Sequence, residues 1–257
     1  DGQGADEILA GYIPYKWYFL LDSFSNKNLL HIIKNSFDLF KSVKCYKKHT
    51  NLSYYKIIKR LVASKFISKE IIKSNRTYYL NDDFIAKYKN GLKLNQIDKF
   101  NSKLENKLYN DVYYSSLPRL LRYEDRDSMA FSLESRVPFL DFRFVEFVFS
   151  LPASNKIKED WTKYILRTSM KGILPEKIRC RKDKMGFVTP QDVWLKEIED
   201  IVKSTFYSEE FNNRPYIDSK GAIELLNKYY EGDYSLTNTV WKLFCSEMWM
   251  RVFFENI

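Results

Sequence analysis

The sequence predicts a mainly α-helical chain, and three observations carry that prediction. Apolar residues recur at spacings of three and four along segment after segment, the pattern of one buried helix face. Caps and breakers punctuate those segments, with acidic or hydroxyl residues before them and Gly or Pro after. Clear runs of alternating apolar and polar residues, which would mark half-buried strands, do not stand out.

The chain opens with Asp1-Gly2-Gln3-Gly4-Ala5-Asp6-Glu7, followed by Ile8-Leu9-Ala10-Gly11-Tyr12. Glycines on either side of Gln3 allow a tight turn with exposed backbone N–H groups, and Asp6 and Glu7 suit the first turn of a helix. Such a turn is a common phosphate cradle, and two carboxylates beside it can hold a magnesium ion that bridges phosphates. Plain N-terminal capping accounts for the same residues.

Helical periodicity runs over 15–24 and 29–40, where Ile32, Ile33, Phe37 and Phe40 form an expected core stripe. Residues 41–53 read as a polar, basic loop, and 54–63 and 67–74 as short helices. The 81–99 segment is mixed, with Asn90-Gly91 as a helix stop. Over 103–121, Leu104, Leu108, Val112 and Leu120 share a face, and Pro118 implies a kink or restart near Ser116. Helix continues over 122–133 until Ser135-Arg136-Val137-Pro138 breaks it. Asp141 caps a short helix through Phe149, with Pro152 just beyond. An amphipathic helix over 161–171 ends at Gly172, and Leu174-Pro175-Glu176 opens a further short turn of helix. Thr189-Pro190-Gln191-Asp192 has the layout of a capping box, with Pro at the first helical position. The last helices span 222–229 and 236–254, and the stripe Trp241, Phe244, Met248 and Trp249 reads as core.

Two stretches concentrate chemistry. In Leu121–Asp141, charged Glu124, Asp125, Arg126, Asp127, Glu134, Arg136 and Asp141 sit among Met129, Phe131, Leu133, Val137, Phe139 and Leu140. So many apolar neighbours imply that much of this run is buried, and buried charge must be paired or must bind a charged ligand. A structural ion-pair network and a pocket for an anionic substrate both satisfy that demand. The second stretch is Arg179–Phe187, a basic loop with one glycine between two helices, suited to presenting lysines to phosphate or to lying solvated on the surface.

With 257 residues, 45% of them apolar and 17% aromatic, the chain is ordered material with room for one large domain or two small ones. No apolar run reaches transmembrane length, and a membrane partner is not expected. The chain begins with Asp rather than Met, which suggests a piece of something longer. Cys45, Cys180 and Cys245 lack metal or disulfide spacing and read as reduced thiols, consistent with a cytoplasmic protein. His31 and His49 are too few for a His-rich metal site. The net charge of +9 comes from lysines scattered along the chain, not a basic block, so nucleic acid is not an expected partner.

Three segments, DGQGADE-ILAGY, DRDSMAFSLESRVPFLD and RKDKMGF-TP-WL, together resemble the synthetase domain of glutamine-dependent asparagine synthetases, in that family's order and over essentially all of the chain. The resemblance implies that residues 1–257 are the mainly α-helical C-terminal portion of an α/β ATP-pyrophosphatase synthetase domain, whose parallel sheet lies mostly upstream. It implies ATP and Mg2+ as cofactors, activation of aspartate as an aspartyl adenylate, and attack by ammonia that an upstream glutaminase domain releases from glutamine. Asp1 and Gly2 would then lie at the nucleotide end, and Asp6, Glu7 and Tyr12 near magnesium, pyrophosphate or substrate, with Asp6 the metal residue. Arg126 and Arg136 would belong to the pocket for the carboxylate substrate and phosphates. Lys184 would neutralise the departing pyrophosphate, with Lys182 the alternative because the loop's spacing varies within the family.

Two departures stand beside the resemblance. Many members carry an acidic residue where Gln3 stands, at a position tied to adenylate formation or later proton handling, and Gln3 cannot take a proton at neutral pH. The glutaminase half and the Ser-Gly-Gly pyrophosphate loop are absent from the sequence. A fragment inactive by itself is therefore expected, and its uncovered aromatics would favour self-association; a homodimer is also among the expected partners. Relatives that amidate sugars, close lactams or cyclise peptides keep another acceptor open, and a helical interaction module without catalysis is a third reading.

Overall fold

Helix dominates each part of the chain that the computed structural model describes, residues 1–25, 29–48, 78–88, 97–182 and 189–255. In chain order the elements are α1 (Ala5–Ile8), α2 (Ile13–Ser25), α3 (Leu29–Lys48), α4 (Asp82–Tyr88), α5 (Lys103–Tyr113), α6 (Leu117–Met129), α7 (Phe142–Ser150) and α8 (Ala153–Lys156). A small antiparallel hairpin, β1 (Ile157–Lys158) and β2 (Trp161–Thr162), follows, and then α9 (Tyr164–Ser169) and α10 (Glu176–Arg179). The chain continues through α11 (Gln191–Glu197), α12 (Glu199–Tyr207), α13 (Glu209–Asn212), α14 (Ser219–Tyr230) and α15 (Thr237–Met250). Among the described residues no helix is long and apolar enough to cross a membrane. The expected helices at 54–63 and 67–74 and the stop at Asn90-Gly91 lie outside the described residues.

The chain divides into two compact units. The first comprises Asp1–Lys65 and Leu94–Met185. Its core gathers Ala10, Tyr15, Leu104, Leu108 and Ile157, with Ile8, Leu9 and Val148 in a second cluster. Asp22 of α2 fixes the start of α5: its carboxylate accepts from the Lys103 and Leu104 N–H groups at 2.6 and 3.1 Å and from the Ser102 hydroxyl at 2.7 Å. Ser102 then accepts from the Glu105 N–H, so orphan donors of the first turn find acceptors. The Asp141 cap of α7 is present, its carboxylate accepting from the Arg143 N–H at 3.0 Å.

The second unit, Phe66–Lys93 and Gly186–Ile257, is built on Leu195, Val202, Phe206, Phe211, Ile217, Leu225, Leu226, Tyr229, Val240 and Phe244. Glu247, fully buried, accepts from Arg214 and Arg251, each at 2.9 Å. At Gly221 a Cβ would lie 2.0 Å from the Tyr78 carbonyl oxygen, so only glycine permits that approach.

Several sequence expectations are corrected here. Residues 41–48 continue α3 as helix. Ile33, Phe37 and Phe40 are exposed, because α3 turns Asp38 and Leu39 inward and leaves that apolar stripe outward. The 161–171 helix is shorter than expected: Trp161 and Thr162 pair with β1, and Lys163 takes a left-handed φ of 52° before α9 begins. Pro190 precedes the first turn of α11, and the Asp192 carboxylate accepts from the Thr237 hydroxyl instead of closing a capping box. On α15, Val240, Leu243, Phe244 and Glu247 face inward, while Met248 and Trp249 are exposed. The largest correction concerns the central stretch. Tyr123, Met129, Phe131 and Leu133 are exposed, Phe131 by 81%, since no described element of this unit packs over that face.

Candidate active site

The acidic turn is shaped by two glycines. Gly4 has a φ of +88°, and a Cβ there would fall 2.2 Å from Leu140 Cδ2, so glycine lets the turn lie against the Pro138–Leu140 turn. Behind it Ala5, Asp6, Glu7 and Ile8 are all buried. A Cβ at Gly11 would fall 1.9 Å from Asp6 Oδ1 and 2.4 Å from Lys163 Cε, so Gly11 makes room for that ion pair, in which Lys163 Nζ stands 2.8 Å from Asp6.

Glu7 is satisfied by hydroxyls: Tyr12 donates to Oε1 at 2.9 Å and Ser116 at 3.1 Å. Burial first, and then the neighbouring Glu7 carboxylate, push the Tyr12 ionisation far above its ordinary value, so Tyr12 is a proton donor to Glu7 at neutral pH. Tyr15, one turn on, donates to Asp111 at 2.8 Å and is raised for the same two kinds of reason.

A second polar group forms at the start of the turn. The Gln3 N–H donates to Asp1 Oδ1 at 2.8 Å, and the Gln3 side-chain amide lies 3.5 Å from Glu124 Oε2. Ser135 Oγ stands 3.1 Å from Asp1 Oδ2 and 3.2 Å from Glu124 Oε1; its single proton can serve one carboxylate at a time. Asp1 and Gly2 are exposed.

The structure thus gathers Asp1, Gln3, Asp6, Glu7 and Tyr12 on one short stretch and brings Glu124, Ser135, Ser116 and Lys163 to it. Arg126 and Arg136 are exposed, and Arg136 pairs with nearby Glu134 at 3.0 Å. Lys184 lies outside the described residues, whereas Lys182 donates to Asp160 Oδ2 at 2.7 Å. Among the described residues no group of three or more His, Cys, Asp and Glu could hold a metal ion. With Asp6 paired to Lys163 and Glu7 holding two hydroxyl donors, these side chains do not compose a magnesium site by themselves.

The model of the family described as asparagine synthase matches residues 1–251, and so takes in the acidic turn, the central stretch and the basic loop. The chain belongs to the asparagine synthase family. Glutamine-hydrolyzing asparagine synthetase 1 of Bacillus subtilis is 26% identical over 99% of this chain and 40% of its own length. Glutamine-hydrolyzing asparagine synthetase 3 of the same organism is 34% identical over 43% of this chain and 18% of its own. The asparagine synthetase of Gallus gallus is 37% identical over 30% of this chain and 15% of its own. The chain therefore spans about two-fifths of the length of this first Bacillus subtilis relative. No solved structure matches it.

Within this member of the asparagine synthase family, Lys163, Ser116, Ser135 and Asp160 are the site neighbours that sequence reasoning did not single out. Ser116 and Ser135 registered only at helix breaks, near Pro118 and before Pro138. Lys163 carries no sequence signal toward Asp6, because the pairing depends on the hairpin and on Gly11.

Proposed function

We propose that the full-length protein carrying this chain forms asparagine: ATP activates the side-chain carboxylate of aspartate as aspartyl-AMP, and ammonia derived from glutamine displaces AMP. The chain is read as the C-terminal part of an ATP-pyrophosphatase-type synthetase domain, with the glutaminase domain as its partner upstream and a homodimer as its assembly. The observation that supports this reading is the span of the family match, which covers all three chemistry-bearing segments at once.

Each residue has a role in the reading. Asp1 and Gly2 lie at the nucleotide end of the turn. Lys184 neutralises charge growing on the departing pyrophosphate, the electrostatic help that a dissociating anion pair needs. Arg126 and Arg136, exposed and planar, can fork onto a carboxylate or phosphate as lysine cannot. Glu7 and Tyr12 shape the floor of the acidic turn. ATP and Mg2+ are the cofactors, with Asp6 the carboxylate assigned to the metal, a role it could take only by leaving its pair with Lys163.

Gln3 favours a second reading, in which the acceptor is another carboxylate such as a sugar acid or a lactam or peptide precursor. It cannot act as a base where many relatives have an acid, although Glu124 lies 3.5 Å from its amide. The test is to supply the full-length protein with ATP, magnesium, glutamine and each acceptor in turn, measuring AMP and amide. Asparagine formed from aspartate is expected; AMP only with another carboxylate would establish the second reading instead. The 257-residue chain alone should release no AMP, and clear turnover from it would contradict its assignment as a fragment.

A further inference from the structure

The hairpin of β1 and β2 touches both segments on which the proposed reaction draws. At its far end Lys163 reaches back to Asp6 in the acidic turn, at 2.8 Å. At its tip, Asp160 ties two lysines. Lys16, only 6% exposed, donates to the Asp160 backbone oxygen at 2.7 Å and to Oδ1 at 3.1 Å, while Oδ2 accepts from Lys182 at 2.7 Å. Lys182 also stands 4.4 Å from the centroid of the Trp161 ring, and the Arg167 guanidinium stands 5.3 Å from the same centroid.

An isolated exposed ion pair contributes little, because two long side chains lose freedom and water screens the attraction. The Asp160–Lys182 pair differs in that the carboxylate is already fixed by a buried lysine and the ammonium sits over an indole face. Lys182 is the first lysine of the basic loop, and Lys184 follows it by two residues. Fixing Lys182 therefore fixes the described end of the loop, from which Lys184 follows in sequence.

We infer that Asp160 is a positioning residue for the proposed reaction: it holds the start of the basic loop through Lys182, so Lys182 serves as an anchor and not as the cation that meets pyrophosphate. The inference rests on the function proposed above.

The test uses the full-length protein with Lys182→Met, Asp160→Asn, their double variant, Lys182→Arg and, as a control, Lys184→Ala. For each, kcat for AMP formation, KM for aspartate and inhibition by added inorganic pyrophosphate are measured. Lys182→Met and Asp160→Asn should each lower kcat on the order of tenfold, within what a displaced catalytic group costs. Both should weaken pyrophosphate inhibition and leave KM for aspartate unchanged. The double variant should be no worse than either single one, and Lys182→Arg, which can still reach Asp160 and stack on Trp161, should retain most activity. Effects that multiply in the double variant would mean that Lys182 meets the ligand itself, and would overturn the inference. So would single variants within about twofold of the parent in kcat and in pyrophosphate inhibition, a margin of about 0.4 kcal/mol. Lys182→Met leaves both Lys16 contacts in place; should Asp160→Asn not fold, Asp160→Glu takes its place in the cycle. AMP formation that survives Lys184→Ala would count against Lys184 as the pyrophosphate lysine and so against the anchor; no AMP from aspartate in the unsubstituted full-length protein would overturn the functional reading, a distinct failure.

Discussion

Gly11 shows how a single atom can decide a site, since a Cβ there would occupy space held by Asp6 Oδ1 and Lys163 Cε. Gly11→Ala is expected to destabilise the first unit by about 1–3 kcal/mol, the usual range for overpacking, as read from a denaturant midpoint. In the full-length protein proposed above it should also lower AMP formation, since Asp6 or Lys163 must move. Asp141 offers a pH test at the same scale. Hydrogen bonds from the Arg143 side chain hold its carboxyl down to about 2, below the ordinary range near 4. The folded state therefore favours the charged form. Its contribution is present above the ordinary carboxylate value and is lost as pH falls toward about 2. Asp141→Asn should flatten the acid limb of stability against pH in that window, and an unchanged limb would refute the assignment. Asp141 was legible in the sequence because a cap is a local feature; the partner of Asp6 was not, because nothing near Asp6 names Lys163.

Among the elements, α5 carries much of the first unit. Leu104 and Leu108 are fully buried, and Asp22 of α2 adds to the Ser102 cap by accepting from the first two N–H groups of the helix. Leu104→Ala should cost about 2–5 kcal/mol, as a cavity in a packed core does. Asp22→Ala should cost about 1 kcal/mol through its lost share of that cap; a larger loss from Asp22→Ala than from Leu104→Ala in parallel denaturation curves would contradict that ordering. Periodicity located α5 and its inward face correctly. The same reasoning misjudged Ile33, Phe37 and Phe40 on α3, and the apolar residues near the end of α6. A period states which residues share a face, and it is silent on whether anything covers that face.

For the molecule as a whole, the two units have separate cores, and the second depends on a charge cluster that no local pattern announces. Glu247 sits fully buried between Arg214 and Arg251. Glu247→Ala would leave both guanidinium groups without this carboxylate and should cost about 3–5 kcal/mol, read as lost protection of α14 and α15 in hydrogen exchange. The family was legible because three separate motifs are each continuous in sequence. The assembly of Ser116, Ser135, Glu124 and Lys163 around the acidic turn is a property of the fold. The most direct measurement of the central claim is exchange of labelled pyrophosphate into ATP by the full-length protein, without an ammonia source. Exchange that requires aspartate and is lost in Lys184→Ala is the predicted result. No exchange with any carboxylate, or exchange that Lys184→Ala leaves intact, would contradict the account.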